Sequence, residues 1–377
     1  MKKNKSIKYI FASLFVFMAS FLFCSAETVA EVNEDVVFKA RVVEILEEKE
    51  KVLDDGSSLV QQNLKLLGLE GDYKNKDVFF YGIGDLEIIA NKQYSKGDKL
   101  LMVASFDNIE NDYKYYVLDY SRSSNLLFMF LFFLLVLFVV GRWKGLRAIV
   151  SLFFTFLAII FYIVPQILNG ANPIIATMLA CIFIIFFIIY ITEGFNIRSN
   201  IAFVSTLVSL LLVVGISSLF VFWGGLTGAF NEDVFILLSI GDGFVNFKGL
   251  LLAGIIIGAL GVIDDIIISQ IVTVEQIVEA NPHQRWKEVF KKANKVGVSH
   301  ISSMTNTLFL AYAGASLPLL ILFVSPDNPF SSFEQIISNE AISTEIIRAL
   351  SGSIGIVLSV PLSTFLASWW FTYKKNI

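Results

Sequence analysis

The sequence predicts an α-helical polytopic membrane protein, with about seven or eight spans and a small exported all-β domain near the N-terminus. Three observations carry this. Hydrophobic residues make up 55% of the chain and charged residues 16%, where soluble domains carry roughly 25% charge. The apolar residues, 36 Phe among them, gather into runs of membrane-crossing length from Asn125 onward. Residues 27–124 break that pattern with short runs of mixed polarity punctuated by glycine.

The N-terminal segment 1–26 opens with Lys2, Lys3, Lys5 and Lys8, continues with an apolar run Tyr9–Phe23 and ends in Cys24-Ser25-Ala26. This reads as a signal peptide with a small-residue cleavage site, or as an uncleaved anchor. The following domain, 27–124, holds strand-like runs at Val36–Glu44, Leu59–Leu67, Lys76–Gly82, Leu86–Ala90, Lys99–Phe106 and Lys114–Asp119, with turns expected at Gly56, Gly71, Gly84 and Gly97. A small barrel or sandwich is expected there. Gly82-Ile83-Gly84-Asp85 resembles an intramembrane-protease signature, but its place between two strands makes it a turn.

Spans are expected near 125–141, 148–168, 174–192, 201–222, 249–272, 300–324 and 346–372. The first four, 125–222, are rich in Phe, Leu and Ile and read as lipid-facing scaffold. The Gly-rich loop 223–248 contains a short apolar run, Val234–Ile240, suited to a re-entrant or interfacial turn. Glu232, Asp233 and Asp242 in it read as solvated charges. The last part, 249–377, carries three spans with polar stripes and a basic amphipathic segment, 279–295, expected at the membrane surface. The proposed inner loops and tail hold eleven Lys and Arg, and the proposed outer loops only Lys248. That asymmetry puts residues 27–124 outside and the C-terminus in the cytoplasm.

Several chemistries find no support. Cys24 and Cys181 both lie in apolar segments and form no disulfide framework. Two histidines, His283 and His300, make a multi-His metal site an unpromising reading, and no metal or other cofactor is expected. No phosphate-binding glycine loop precedes a Lys-Ser/Thr pair, so nucleotide hydrolysis is not expected. The net charge of −4 and its distribution give no sign of a nucleic-acid partner. The chain does not read as an enzyme.

The segment that demands explanation is Gly254–Gln270. It lies in a run of spanning length yet holds Asp264 and Asp265. An Asp at the centre of a membrane helix costs roughly 2.5–3.5 kcal/mol on insertion scales. At about 100° per residue, Asp265 shares a face with Gly254, Gly258, Gly261 and Ser269. Asp264 falls in line with Ile257, Leu260 and Ile268. The small-residue face is expected to pack against other helices, which makes Asp265 the expected interior member. The next span begins with a polar stretch in which Ser303, Thr307 and Gly314 share one face, with Thr305 and Asn306 beside them. The last span presents Gly352, Gly355, Ser359 and Ser363. The three stripes are expected to face one another, with Asp265 between them and Ser269, Gln270, Ser303, Thr305, Asn306 and Thr307 as polar lining. Asp264 and Asp265 are then the candidate proton or ion relay, since a carboxylate in such a setting can load and unload a proton.

The stretch Gly258–Pro318, with Gly-Val-Ile-Asp-Asp and then Ser-Ser-Met-Thr-Asn-Thr-Leu-Phe-Leu-Ala-Tyr-Ala-Gly-Ala-Ser-Leu-Pro, resembles the YibE/F-like family of bacterial membrane proteins. The likeness implies a permease-like integral protein of the bacterial plasma membrane. The order of elements in the second half is also similar to proton-driven RND exporters and the SecD/SecF translocation factors. That likeness implies proton carriage by Asp264 and Asp265, although no intramembrane Lys partner is evident here. The expected function is therefore ion-coupled transport. The alternative is a non-transporting scaffold whose exported domain binds a partner or wall component. The expected partners are the lipid bilayer and a second copy or paralogous membrane chain. An intramembrane aspartyl protease is a poor fit: neighbours on one helix point about 100° apart, where that chemistry needs facing carboxylates from different helices.

Overall fold

The computed structural model describes residues 36–52, 58–83, 93–107, 112–230, 246–325 and 332–375. The signal or anchor at 1–26, the strand expected at Leu86–Ala90, Gly84 and Asp85 of the turn motif, and most of the Gly-rich loop lie outside the described residues. The chain forms two compact units, one covering Glu27–Leu137 and the other including Phe138–Ile377.

In the first unit, alternating side chains build one antiparallel sheet. β1 (Val36–Val52), β2 (Ser58–Gly68), β3 (Asp77–Tyr81), β4 (Lys99–Asp107) and β5 (Asp112–Tyr120) lie in the order β3-β2-β1-β4-β5. Phe38, Ala40 and Val42 of β1 pack with Leu64 and Leu66 of β2, Val78 and Phe80 of β3, and Leu100, Met102 and Ala104 of β4. Register shifts between Val42 and Glu44 and between Ile45 and Glu47 bend β1. β3 then reaches β5, and the sheet curls into a half-barrel. Buried Gln62 is well satisfied: it accepts from Tyr94 N at 2.8 Å and donates to Tyr94 O and Glu48 Oε2. Gly82 N and Ile83 N still bond to Gln62 O and Asn63 Oδ1 of β2, so this end of the turn motif is strand edge.

The helices follow the apolar runs. α1 (Ser123–Ala158) leads through a π-turn at Ile159–Ile163 into α2 (Val164–Leu168). This stretch is 46 residues long, or about 69 Å at 1.5 Å per residue, against a hydrocarbon core of about 30 Å. Arg142, with φ 48° and ψ −129°, breaks it between the two apolar runs expected there. α3 (Pro173–Thr192), α4 (Ile197–Trp223) and α5 (Phe247–Ala280) each start at an Asn cap whose side chain accepts from a backbone N–H: Asn172, Asn196 and Asn246. α6 (Trp286–Ala315) and α7 (Leu317–Val324) meet at Ser316-Leu317-Pro318. α8 (Phe333–Ser338) precedes α9 (Glu340–Lys375). Among the described residues, five helical stretches are long and apolar enough to cross a membrane.

Two expectations change. The amphipathic segment 279–295 is not a helix of its own. Residues 279–280 end α5, and a single unbroken helix runs from Trp286 into the polar stretch. The reason is that Val289, Ala293 and Gly297 are buried, giving the basic half of α6 an apolar side to pack. Nor are the first four spans only scaffold. α4 packs on both α5 and α9, and α3 packs on α5. Their buried faces include Thr177, Ser205, Thr206 and Ser209.

At the centre of this unit α4, α5 and α9 converge on Gly355. A Cβ placed there collides with Val213 Cγ2 and sits 3.3 Å from Ile263 Cδ1. Gly355→Ala is expected to lower the stability of the purified protein by about 1–3 kcal/mol through overpacking. A second change, Val213→Ala, is expected to recover part of the loss, read as thermal unfolding in detergent or nanodiscs.

Candidate functional site

α5 carries the two carboxylates, and its burial pattern assigns them opposite environments. Asp264 is 4% exposed. Asp265 is exposed, as are Gly254, Gly261 and Ser269 on its stripe. The interior member of the pair is therefore Asp264, not Asp265. The physical reason is that α5 buries its branched apolar face instead: Ile255, Ile256, Ile263, Ile266 and Ile267 are 0–1% exposed and form the middle of the helical core. Asp264, next to that face, is carried inside with it.

The expected meeting of three stripes is likewise only partly realised. The α9 stripe does face inward: Gly352, Gly355, Ser359 and Ser363 are buried. Those of α5 and α6 do not. Ser303, Asn306, Thr307 and Gly314 are exposed, so they cannot be hydrogen-bonding Asp264 from within the bundle. Gly258 is partly covered by Tyr312, whose hydroxyl lies 2.6 Å from where a Cβ would stand. Thr305 is half-buried, and its Oγ1 has no hydrogen-bond partner among the described residues.

Gln270 has a different role from lining. It is fully buried, and its Nε2 donates to Ala293 O and to Thr364 Oγ1, both at 2.8 Å. One amide thus clamps α5 to α6 and α9. Arg348 donates to Glu345 at 2.8 Å and lies over the Tyr312 ring.

Asp264 Oδ1 is buried without a hydrogen-bond partner among the described residues. A buried acceptor left unpaired costs about 1–3 kcal/mol, and more when charged. Asp264 is in line with Ile268 and Ile271, which line a cleft with Ile189, Glu193, Arg198 and Ala202 where α3 turns into α4. Glu193, at the end of α3, is the carboxylate of this cleft. Arg198 forms an ion pair with Glu275 of α5 beside the same cleft. Neither the pair nor the cleft was anticipated, because their residues sit in three separate segments and no spacing rule joins them.

A family model described as YibE/F-like protein matches residues 129–373. The chain belongs to the YibE/F-like family. The match covers nearly all of the helical unit, including Asp264, Asp265 and the polar start of α6, and leaves the half-barrel outside it. Comparison with curated proteins and with solved structures gave no match.

In this YibE/F-like protein the exposed polar face of α5, a helix of spanning length, needs water or protein against it, because acyl chains offer no hydrogen bonds; α6, whose polar face is also exposed, is not among the stretches apolar enough to span. In a background with Cys24 and Cys181 replaced by Ala, Ser269→Cys, Ser303→Cys and Asn306→Cys are expected to react with a water-soluble maleimide. Ser209→Cys, in the buried face of α4, is expected to react only after denaturation.

Proposed function

We propose that this YibE/F-like protein is an ion-coupled membrane permease in which Asp264 carries the coupled charge. The observation that supports this most directly is an Asp that is 4% exposed, has an unpartnered Oδ1 among the described residues, and sits mid-way along an apolar helix of spanning length. Structural glue does not require a carboxylate. Ser and Thr hydroxyls or a Gln amide hold helices together without a charge, as Gln270 does one turn and a half further on. An ionisable group in that position is the costly choice, and it is explained by a task that needs the charge to come and go. In this reading residues 27–124 are exported, the C-terminus is cytoplasmic, and the cleft at Glu193 and Arg198 opens on the cytoplasmic side, in keeping with the Lys and Arg distribution.

A second reading, a membrane scaffold with a binding domain, is supported by the surface of the half-barrel. Phe79, Tyr81, Phe106, Tyr113 and Leu118 are large side chains that stand exposed on it. The two readings separate cleanly. In the scaffold, deletion of residues 27–124 abolishes function and Asp264 is dispensable.

Asp264→Asn is expected to reduce ion flux in proteoliposomes by about 10²-fold, the scale of losing a positioned proton-transfer group. Asp265→Asn, on the exposed face, is expected to cost less. The Asn variant should also unfold at the same or a higher temperature than wild type, because the neutral amide no longer places a charge among apolar helices. Wild-type flux in a stable, fully expressed Asp264→Asn protein overturns the permease reading.

A further inference from the structure

We propose that the hydroxyls of Ser205, Thr206 and Ser209 on α4 complete a binding site with Asp264 for a small hard cation, sodium or hydronium, reached through the cleft at Glu193 and Arg198. This rests on the permease reading and names the ligands of its coupled ion.

The argument begins with hydroxyls that have been left idle. A buried Ser or Thr in a helix ordinarily donates back to the carbonyl four residues earlier. This chain does so repeatedly. Ser217 donates to Val213 O at 2.7 Å on α4 itself. On α9, Ser363 donates to Ser359 O at 2.8 Å, Ser368 to Thr364 O at 2.6 Å and Thr372 to Ser368 O at 2.7 Å. Ser205, Thr206 and Ser209 are buried just as deeply, at 0–1% exposure. Yet their hydroxyl oxygens have no hydrogen-bond partner among the described residues. Three neighbouring positions on one buried face share this with Asp264 Oδ1, as do Thr177 on α3 and Thr344, Ser351 and Ser353 on α9; the α4 group is set apart by its place between the cleft and Asp264.

The packing puts Ser209 nearest the level of Asp264, with Thr206 and Ser205 up to a turn closer to the cleft. α4 and α5 run antiparallel: Val213 meets Ile263 at Gly355, and Ala202 shares the cleft with Ile268 and Ile271. Ser205, Thr206 and Ser209 lie between Ala202 and Val213 on α4. Asp264 lies between Ile263 and Ile268 on α5, and it shares a helical stripe with the cleft residues Ile268 and Ile271. The cleft therefore ends about one helical turn, roughly 5.4 Å, from Asp264.

The chemistry of the set is uniform. One carboxylate and three hydroxyls are hard oxygen donors, the ligand type that suits small, weakly polarisable cations. The carboxylate supplies the balancing charge, and neutral hydroxyls replace the water the cation leaves behind. The charged groups around the path are Glu193 at the end of α3, Arg198 on α4, and Asp265 and Glu275 on α5. Arg198 and Glu275 pair with each other, and the Arg147 guanidinium donates to Thr192 O beside Glu193, which leaves three carboxylates, Glu193, Asp264 and Asp265, against that one cation. That balance favours a cation over an anion at the seam.

Dicyclohexylcarbodiimide, an apolar reagent that modifies protonated carboxyls, tests this on the full chain in native-lipid nanodiscs, with mass spectrometry locating the adduct. Modification of Asp264 is expected, slowed by bound sodium, which keeps the carboxyl ionised, and quickened by a bound proton. Protection by NaCl but not by choline chloride identifies sodium. Dependence on pH alone, indifferent to sodium, identifies hydronium. In either case the triple variant Ser205→Ala, Thr206→Val, Ser209→Ala is expected to shift the sodium concentration or proton concentration at half-effect by at least about tenfold, since each lost bond to a charged ligand weakens the site. Thr206→Ser, which keeps the oxygen, should stay near wild type where Thr206→Val does not. Ser363→Ala and Ser368→Ala, whose hydroxyls serve their own helix, should shift nothing. If the triple variant is monodisperse and its half-effect matches wild type, the hydroxyls are packing and the site is overturned, even where Asp264→Asn abolishes flux. If Asp264→Asn transports at the wild-type rate, the permease reading itself has failed.

Discussion

The close approach of three helices at Gly355 is the constraint on which the membrane part depends. α4, α5 and α9 meet where a glycine leaves room for Val213 and Ile263, and any side chain there would drive them apart. Because they meet so closely, the faces around that point are shut off from lipid, and polar side chains can be carried on them. The buried Ser and Thr groups of α4 and α9 are there because of that seal. So is Asp264. The same three helices facing acyl chains could not hold these groups without each seeking a partner or leaving the membrane. Gln270 fixes the far end of the junction by tying α5 to α6 and α9, so the seam has a glycine contact at one level and an amide clamp about two turns away.

Much of this was readable from the sequence, and the reasons are local. The strands of the half-barrel follow a two-residue alternation, and five of the six expected strand segments stand where β1 to β5 are found. The helices follow long apolar runs bounded by Asn caps and by Gly or Pro. The family resemblance lay in one contiguous segment from Gly258 to Pro318 and needed no tertiary information. The orientation of α5 was not readable in the same way. Periodicity shows which residues share a face, but not which face turns inward. Two stripes competed: glycines ending in Asp265 and Ser269, and isoleucines flanking Asp264. Small residues favour close packing between membrane helices, which made the glycine stripe the natural choice. The structure buries the isoleucines, and the bulk they offer fills the space between α4, α5 and α9. The hydroxyls of α4 were passed over because they sit in a run dominated by apolar residues. A polar pair four residues apart, Ser205 and Ser209, was the signal available there.

The glycine stripe of α5 and the polar face of α6 then pose a problem that the chain's own described residues do not solve. Gly254, Gly261, Asp265, Ser269, Ser303, Asn306 and Thr307 are all exposed. Their composition is unlike that of α1, whose exposed side chains, from Leu126 to Phe133, are large and apolar and suit lipid. The contrast within one protein matters, because both helices lie in the region matched by the family. An exposed Leu or Phe at membrane depth needs nothing further. An exposed carboxylate on a helix of spanning length needs water or protein against it.

In the permease reading, these two kinds of exposure bear on how the carboxylates would divide their work. Asp264 lies in a sealed seam, where a change of charge is felt by the packing of three helices. Asp265 lies one residue away on a surface that must be wet or covered. In that reading a charge arriving at Asp264 has a neighbour outside the seal only one residue on, about 100° round the helix, with which to interact electrostatically. Neighbouring acids on one helix cannot face each other across a substrate, but they can place one group in each of two compartments. That arrangement links the interior of the bundle to its polar face without any rearrangement of the backbone. In the permease reading it gives the Asp-Asp pair a physical purpose that a single carboxylate in either position would not serve.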